Sequence, residues 1–162
     1  MTSAAARSLA PSFALPDSQG RRVALADLLG RGPVVIVFFR GHWCPYCRRY
    51  LGKLQANHAK LLERGVTVAA ISPEPPATSA TLARDLGLSF PLLCDTCGDA
   101  IDRYGARNRF AGTRTILPHP AVFVLDAAGS IHFRSINRNY KKRTTMHAIF
   151  RAAEEILSPA AG

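Results

Sequence analysis

The run Val-Val-Ile-Val-Phe-Phe at residues 34–39 constrains the fold more than any other stretch of the chain. Its six residues are β-branched or aromatic and do not alternate with polar residues, which is typical of a strand buried on both faces. A strand of this kind belongs in a sheet that carries helices above and below it. The run therefore predicts the central strand of an α/β protein.

Apolar periodicity divides the rest of the chain into alternating strands and helices. Leucines at helical spacing between residues 44 and 64, followed by Gly65, predict a long helix. A basic loop at 105–118 is long enough to suggest a function. The other predicted elements, in chain order, are strands at 12–15, 21–24 and 66–71, a helix at 77–86, a strand at 90–93, a helix at 96–104, strands at 121–126 and 130–136, and a helix at 144–157.

One domain accounts for this pattern, because the chain has 162 residues and a nearly average globular composition, 48% hydrophobic and 20% charged. The first two predicted strands flank turn residues 17–20 and form an N-terminal β-hairpin. We predict a single domain over residues 9–157, with a flexible tail at 1–8 and a second tail at 158–162. The predicted fold class is α/β, with a central mixed sheet, flanking helices and the hairpin as an N-terminal extension.

The segment Trp43-Cys44-Pro45-Tyr46-Cys47 lies between the central strand and the long helix. Sites in such sheets lie beyond the carboxyl ends of the strands. A thiolate at Cys44 would meet the unpaired N–H groups and positive dipole of the helix N-terminus, and Pro45 suits the first turn. With Arg48 and Arg49 nearby, we expect the pKa of Cys44 to be depressed.

Cys47 follows Cys44 by three residues, so both lie on one helix face and can alternate between dithiol and disulfide. The alternative is that both are small buried apolar residues. Arg40 either stabilises a thiolate or a peroxide oxygen or is a solvated charge at the strand end. Trp43 either shields a disulfide from water or simply packs, and His42 is expected to be exposed rather than a general base.

A family resemblance rests on the segments Ala-Pro-Ser-Phe-Ala-Leu-Pro-Asp-Ser-Gln-Gly at 10–20 and Arg-Gly-His-Trp-Cys-Pro-Tyr-Cys at 40–47. Over residues 9–157 the chain resembles peroxiredoxin-like proteins of the alkyl hydroperoxide reductase and thiol-specific antioxidant family, within the thioredoxin superfamily. The resemblance implies a thioredoxin-like fold, with Cys44 as the peroxidatic nucleophile and Cys47 as its resolving partner. The tetrapeptide Cys-Pro-Tyr-Cys is also the glutaredoxin-type motif.

The sequence departs from the peroxiredoxin pattern at three positions. Peroxiredoxins carry Thr three residues and Pro seven residues before the peroxidatic cysteine, where this chain has Gly41 and Val37. They also place Arg before the late strand, where this chain has Pro120, which matches the cis-proline opposite the cysteine pair of thioredoxins. We predict a cis Pro120 with an open backbone edge for a thiol substrate, against the alternative of an ordinary loop proline. These departures favour thiol–disulfide chemistry over peroxide reduction.

A second cysteine pair, Cys94 and Cys97, is predicted at a strand end and the following helix start. Three roles stay open for it: a structural one, a secondary redox pair, or part of a metal site. A Cys₄ zinc site would require both pairs to converge, and the residues between them, 48–93, exceed the usual spacing of roughly 15–20.

The chain is strongly basic, with 21 Lys and Arg against 11 Asp and Glu and a formal net charge of +10. The basic residues are dispersed and accompany no nucleic-acid-binding module, so no specific nucleic-acid partner is expected. The longest apolar run is far below the roughly 20 residues of a membrane-spanning helix, and residues 1–13 lack the apolar stretch of roughly 7–15 residues that is typical of a secretory signal. We therefore expect no membrane partner and a cytoplasmic location, where thiols stay reduced.

The leading hypothesis is a thiol-based oxidoreductase that reduces peroxides or exchanges with thiols and disulfides through Cys44 and Cys47. The alternatives are a thioredoxin-like or glutaredoxin-like protein disulfide reductase without peroxidase activity, and a non-catalytic basic binding module or Cys₄ zinc protein. No cofactor is expected. The expected partners are a peroxide or disulfide substrate, an electron-donating thiol system such as thioredoxin, glutaredoxin or glutathione, and a second copy of the chain in a homodimer.

Overall fold

The structure, a computed structural model, describes residues 7–112 and 114–158. Its elements in chain order are β1 (Ala14–Pro16), β2 (Arg22–Ala24), α1 (Leu25–Leu29), β3 (Val34–Phe38), α2 (Pro45–Glu63), β4 (Thr67–Ser72), α3 (Pro76–Leu86), β5 (Leu92–Cys94), α4 (Asp99–Arg103), a 3₁₀ turn (Arg109–Ala111), β6 (Ala121–Leu125), β7 (Ile131–Ile136) and α5 (Met146–Leu157).

The main sheet has five strands in the order β5-β4-β3-β6-β7. Strands β3, β4 and β5 run parallel, whereas β6 runs antiparallel to both β3 and β7. Strands β1 and β2 form a separate antiparallel pair near the N-terminus. The predicted mixed sheet flanked by helices, with an N-terminal hairpin, is therefore confirmed.

Two apolar layers cover the two faces of the sheet. Val35 and Val37 of β3 face the layer built with α2, α3 and α5, whereas Val34, Ile36 and Phe38 face the layer built with α1, α4 and the hairpin. All five side chains are buried. Burial on both faces explains why this strand contains no polar residue.

The structure corrects several predicted boundaries. Helix α1 was not predicted, because five residues are too few to show a helical repeat. Helix α4 is shorter than predicted and begins after Gly98, whose φ of 76° is left-handed and excludes it from a right-handed helix. Strand β5 begins two residues later than predicted, after Pro91, which has no N–H to donate.

The chain ends differ in part from the predicted tails. The carbonyl of Ser8, assigned to the flexible tail, accepts a hydrogen bond from the Ile131 N–H at 2.9 Å, and Leu9 bridges Ser130. Ser8 therefore packs with the sheet, whereas residues 1–6 and 159–162 lie outside the described residues. Among the residues that the structure describes, no helix is both long enough and apolar enough to cross a membrane.

The connection between β7 and α5 crosses the sheet edge at which β3 ends and α2 begins. The Tyr50 hydroxyl of α2 donates to the Thr144 carbonyl at 2.7 Å, and Thr145 caps α5 by accepting from the Ala148 N–H at 3.1 Å. These bonds hold the connecting loop, residues 137–145, over the start of α2. Residues distant in sequence thereby reach the cysteine pair.

Candidate active site

Cys44 is the N-cap residue of α2, the position expected from the sequence. Its sulfur accepts a hydrogen bond from the Cys47 N–H at 3.3 Å, and its own N–H donates to the Gly41 carbonyl at 3.2 Å. Pro45 follows in the first helical turn, where its missing N–H costs no intrahelical bond. Both cysteine side chains are buried, at 1% exposure each.

Two guanidinium groups approach the sulfur atoms. Arg40, at the end of β3, places Nη1 3.8 Å from the Cys44 sulfur. Arg143, in the loop before α5, places Nη2 3.2 Å from the Cys47 sulfur and 3.9 Å from the Cys44 sulfur. Arg143 ends the basic segment 138–143, for which the sequence alone predicts no role in the site. Only the path of the loop brings it to the site.

The pKa of Cys44 lies below its ordinary value. Burial opposes ionisation, but hydrogen bonds from the Cys47 thiol and the Cys47 N–H, together with the Arg40 guanidinium, outweigh that penalty. The Cys44 thiol therefore ionises more readily than an ordinary cysteine.

The prediction that Arg48 and Arg49 lower the Cys44 pKa is wrong, because Arg40 is the arginine that lowers it. The Arg48 side chain donates to the His42 carbonyl at 3.1 Å and lies 3.8 Å from the Asp85 carboxylate. The guanidinium of Arg49 lies over the Tyr46 ring, 6.0 Å from its centroid. Both charges are engaged away from the sulfur atoms.

The pKa of Cys47 is raised. Burial is the main cause, followed by the hydrogen bond that its thiol makes with Cys44 and by the negative charge of Cys44, whereas the Arg40 N–H and the Arg143 charge act in the opposite direction. The Arg40 N–H donates to the Cys47 sulfur at 3.4 Å. Cys44 is therefore the more acidic thiol of the pair, and Cys47 is the less acidic one.

An aromatic frame positions Arg40. Its guanidinium lies 4.9 Å from the centroid of the Trp43 ring and 4.6 Å from that of the Tyr140 ring, within the range of cation–π contacts. Tyr140 in turn packs edge-on against Tyr46 at 5.7 Å. Trp43 is half exposed and contacts the charge beside Cys44. Its predicted role as a shield for a disulfide stays a prediction.

The structure explains two of the departures from the peroxiredoxin pattern. A Cβ atom at Gly41 would overlap Nε1 of Trp43, so Thr cannot occupy this position while the indole keeps its place. Val37 is buried in β3 and pairs with Ala70 on one side and Val122 on the other. Pro at that position would remove a donor from the middle of the sheet.

The prediction of a cis Pro120 is wrong, because residues 7–112 and 114–158 contain no cis peptide bond. Backbone hydrogen bonds on both sides of the His119–Pro120 peptide bond account for its trans geometry. The His119 N–H donates to the Ala106 carbonyl at 2.6 Å, and the Pro120 carbonyl accepts from the Asn137 N–H at 2.8 Å. Pro120 is buried between these partners and leads directly into β6.

Glu74, for which the sequence alone predicts no role, holds the loop before Cys44 through contacts with His42. Its carboxylate accepts the His42 N–H at 2.8 Å and also contacts Nδ1 of the His42 ring. Glu74 itself is buried, whereas the His42 side chain is half exposed. The loop that carries Cys44 is thereby tied to the segment after β4.

Cys94 lies at the end of a strand as predicted, but Cys97 precedes α4 and is not at the predicted helix start, so the second pair lacks the geometry of the first. Cys94 is buried at the end of β5, where burial raises its pKa and its thiol donates to the Ser79 hydroxyl at 3.5 Å. Cys97 is exposed in the turn before α4. All four cysteines are free thiols. Within the described part of the chain no three His, Cys, Asp or Glu residues gather in a metal-binding arrangement, so the two pairs do not converge on a Cys₄ site.

A buried cysteine pair at a strand-to-helix junction, with one thiol pKa lowered and the other raised, is typical of thiol redox proteins. The model of the AhpC/TSA family matches residues 6–134, and the chain belongs to that family. A Mycobacterium tuberculosis protein named as a peroxiredoxin is 31% identical over 140 residues, 85% of this chain and 86% of the relative. Thiol-disulfide oxidoreductase ResA of Geobacillus thermodenitrificans is 30% identical over 131 residues, 80% of this chain and 68% of that protein.

The crystal structure of peroxidoxin BcpB from Mycobacterium tuberculosis has a TM-score of 0.80 to this chain at 23% identity, covering 93% of this chain and 94% of that one. This similarity confirms the predicted thioredoxin-like fold. The family and the relatives together make the protein a thiol-based oxidoreductase, acting by peroxide reduction or by thiol exchange. The hypothesis of a non-catalytic binding module receives no support from them.

Proposed function

We propose that Cys44 and Cys47 form a dithiol/disulfide cycle in which a peroxide oxidises Cys44 and Cys47 resolves the product. The observation that carries the proposal is the split of the two thiol pKa values, down for Cys44 and up for Cys47, between two guanidinium groups. The Cys-Pro-Tyr-Cys segment is thereby the redox motif.

In the first step the Cys44 thiolate attacks the distal peroxide oxygen, the O–O bond breaks, and the other oxygen leaves as an alcohol or water after taking up a proton. Cys44 becomes a sulfenic acid. Arg40 offsets the negative charge that develops during this transfer, since its Nη1 lies 3.8 Å from the sulfur.

In the second step Cys47 loses its proton and its sulfur attacks the Cys44 sulfur, so that an S–S bond forms and water leaves. Arg143 stabilises the required Cys47 thiolate, because its Nη2 lies 3.2 Å from that sulfur. The raised pKa of Cys47 keeps its thiol protonated until Cys44 has been oxidised.

Exchange with a disulfide is the second candidate. Gly41 supports it, because this position contributes no hydroxyl beside the cysteine to hold a peroxide. Cys44 would attack one sulfur of the substrate and release the other as a thiolate. Cys47 would then displace the first sulfur from the mixed disulfide.

The setting of the cycle follows from its chemistry. We infer a cytoplasmic location and regeneration by a thiol system such as thioredoxin, glutaredoxin or glutathione, since the cycle needs a two-electron reductant. A homodimer is proposed on the family resemblance alone, and sedimentation velocity tests it.

Stopped-flow oxidation of the reduced protein tests the proposal, with hydrogen peroxide and an oxidised dithiol as separate oxidants and Trp43 fluorescence as the signal. We expect rapid oxidation by peroxide, no oxidation at this site in Cys44→Ser, and a sulfenic acid at Cys44 in Cys47→Ser that a dimedone probe labels. Cys97→Ser is the matched control, because its thiol is exposed and away from the pair.

Fast reaction with the oxidised dithiol and no reaction with peroxide would show that disulfide exchange, the second candidate, is the function. If Cys44→Ser reacts like the wild type, Cys44 is not the nucleophile.

A further inference from the structure

A cavity of about 500 Å³ opens at the end of the sheet where β3 leads toward the cysteine pair and β6 begins. Its wall includes His119 and Ile136, which lie at the sheet edge where β6 begins and β7 ends, and Arg138 just beyond β7. The antiparallel β3–β6 ladder ends at the pair Phe38 and Ala121, so Arg40 and His119 each lie two residues beyond the same end of it. Arg40, whose guanidinium contacts Cys44, therefore lies at the same end of the sheet as the cavity.

The cavity is positive and carries no carboxylate in its lining as far as the structure describes it. Arg107 is engaged by Asp102 at 2.5 Å. Arg109 and Arg138 have no ion-pair partner among residues 7–112 and 114–158, and both are exposed. Burial, followed by the Arg138 and Arg40 charges, lowers the pKa of His119, which leaves its ring a neutral hydrogen-bonding group.

We propose that this cavity binds a small thiol that carries two carboxylates, which reduces the Cys44–Cys47 disulfide. The two uncompensated guanidinium groups of Arg109 and Arg138 match two carboxylates, because each guanidinium can hold one of them bidentately. Phe110 is 92% exposed on the rim and offers an apolar surface to the thiol's carbon chain. The assignment rests on the proposed dithiol/disulfide cycle and adds the class of its reductant.

Reduction of the Cys44–Cys47 disulfide consumes two molecules of the thiol. The first thiolate attacks the Cys44 sulfur, a mixed disulfide forms, and Cys47 leaves as a thiolate beside Arg143 before it takes up a proton. A second thiolate attacks the sulfur of the bound thiol, which releases the Cys44 thiolate and a symmetric disulfide. Two electrons pass from the two thiols to the cysteine pair.

The kinetic test compares glutathione, which has two carboxylates, with uncharged 2-mercaptoethanol at equal thiolate concentration. The protein is the oxidised full chain, and reduction is followed by the fluorescence of Trp43. We expect glutathione to react about tenfold faster than 2-mercaptoethanol and to lose that advantage in Arg109→Gln/Arg138→Gln, whereas the rate with 2-mercaptoethanol stays unchanged. Lys60→Gln/Arg151→Gln removes the same charge from exposed helix positions and should keep the advantage.

Equal rates with both thiols in the wild type, or an advantage that persists in the cavity variant, would overturn the proposal. An equal loss in both double variants would also overturn it, because net charge rather than the cavity would then be responsible.

Calorimetric binding of S-methylglutathione separates this proposal from the redox cycle, because the capped sulfur cannot exchange. If S-methylglutathione binds the wild type and not Arg109→Gln/Arg138→Gln, the cavity is a dicarboxylate site. This result would stand even if no Cys44–Cys47 disulfide forms and the proposed function fails. The absence of binding to wild type, with a disulfide that forms normally, overturns the cavity proposal alone.

Discussion

Replacing Arg40 by Gln should raise the pKa of Cys44 and slow its reactions. Coulomb's law for unit charges at the observed 3.8 Å gives about 1 kcal/mol in bulk water and about 4 kcal/mol at an effective dielectric constant of 20. Because Arg40 is partly exposed, the lower figure is the relevant one, and it corresponds to roughly one pKa unit. The thiolate fraction below the pKa then falls by up to about tenfold.

The pH dependence of alkylation by iodoacetamide, read by mass spectrometry on the peptide that contains Cys44, measures this pKa directly. Arg49→Gln is the matched control, because it removes an equal charge from α2, where the Arg49 guanidinium lies over the Tyr46 ring and contacts neither sulfur. The reasoning is refuted if Arg40→Gln leaves the Cys44 pKa unchanged, or if Arg49→Gln raises it equally.

Three further outcomes follow from the contacts around the pair. Arg143→Gln should slow the second step, disulfide formation, by about tenfold and leave the first step, oxidation of Cys44, nearly unchanged. The reason is that the Arg143 guanidinium lies nearer the Cys47 sulfur than the Cys44 sulfur. Two-phase stopped-flow traces distinguish the two steps. Gly41→Thr should displace the Trp43 indole and shift its fluorescence emission, with Gly52→Ala, where a Cβ meets no atom within 4 Å, as the silent control. In the reduced native protein a thiol reagent should modify the exposed Cys97 quickly and the buried Cys94 only after unfolding, because burial raises the Cys94 pKa. Equal rates of modification at the two cysteines would contradict the buried position of Cys94.

The central strand and the long helix were predictable because each carries a local pattern. An unbroken apolar run determines β3, and leucines at helical spacing followed by Gly65 determine α2. Once both are in place, Cys44 must lie at the N-cap and Cys47 one turn further along. The five-residue α1 has no such pattern, and Gly98 at a left-handed φ shortened α4 in a way that composition alone does not show.

The partners of the cysteine pair were harder to predict, because they come from irregular segments. Arg143 lies 99 residues after Cys44, and hydrogen bonds that depend on tertiary structure, such as Tyr50 to Thr144, determine the path of its loop. Arg48 and Arg49 were close in sequence, yet other partners engage their guanidinium groups. A trans Pro120 follows from pairing on both sides of it, which its sequence neighbours do not reveal.

Peptide mapping of the reduced protein after one equivalent of hydrogen peroxide tests the redox assignment most directly. The expected product is a single disulfide between Cys44 and Cys47, with Cys94 and Cys97 recovered as free thiols. A disulfide between Cys94 and Cys97, or one that joins the two pairs, would contradict the assignment of Cys44 and Cys47 as the redox centre.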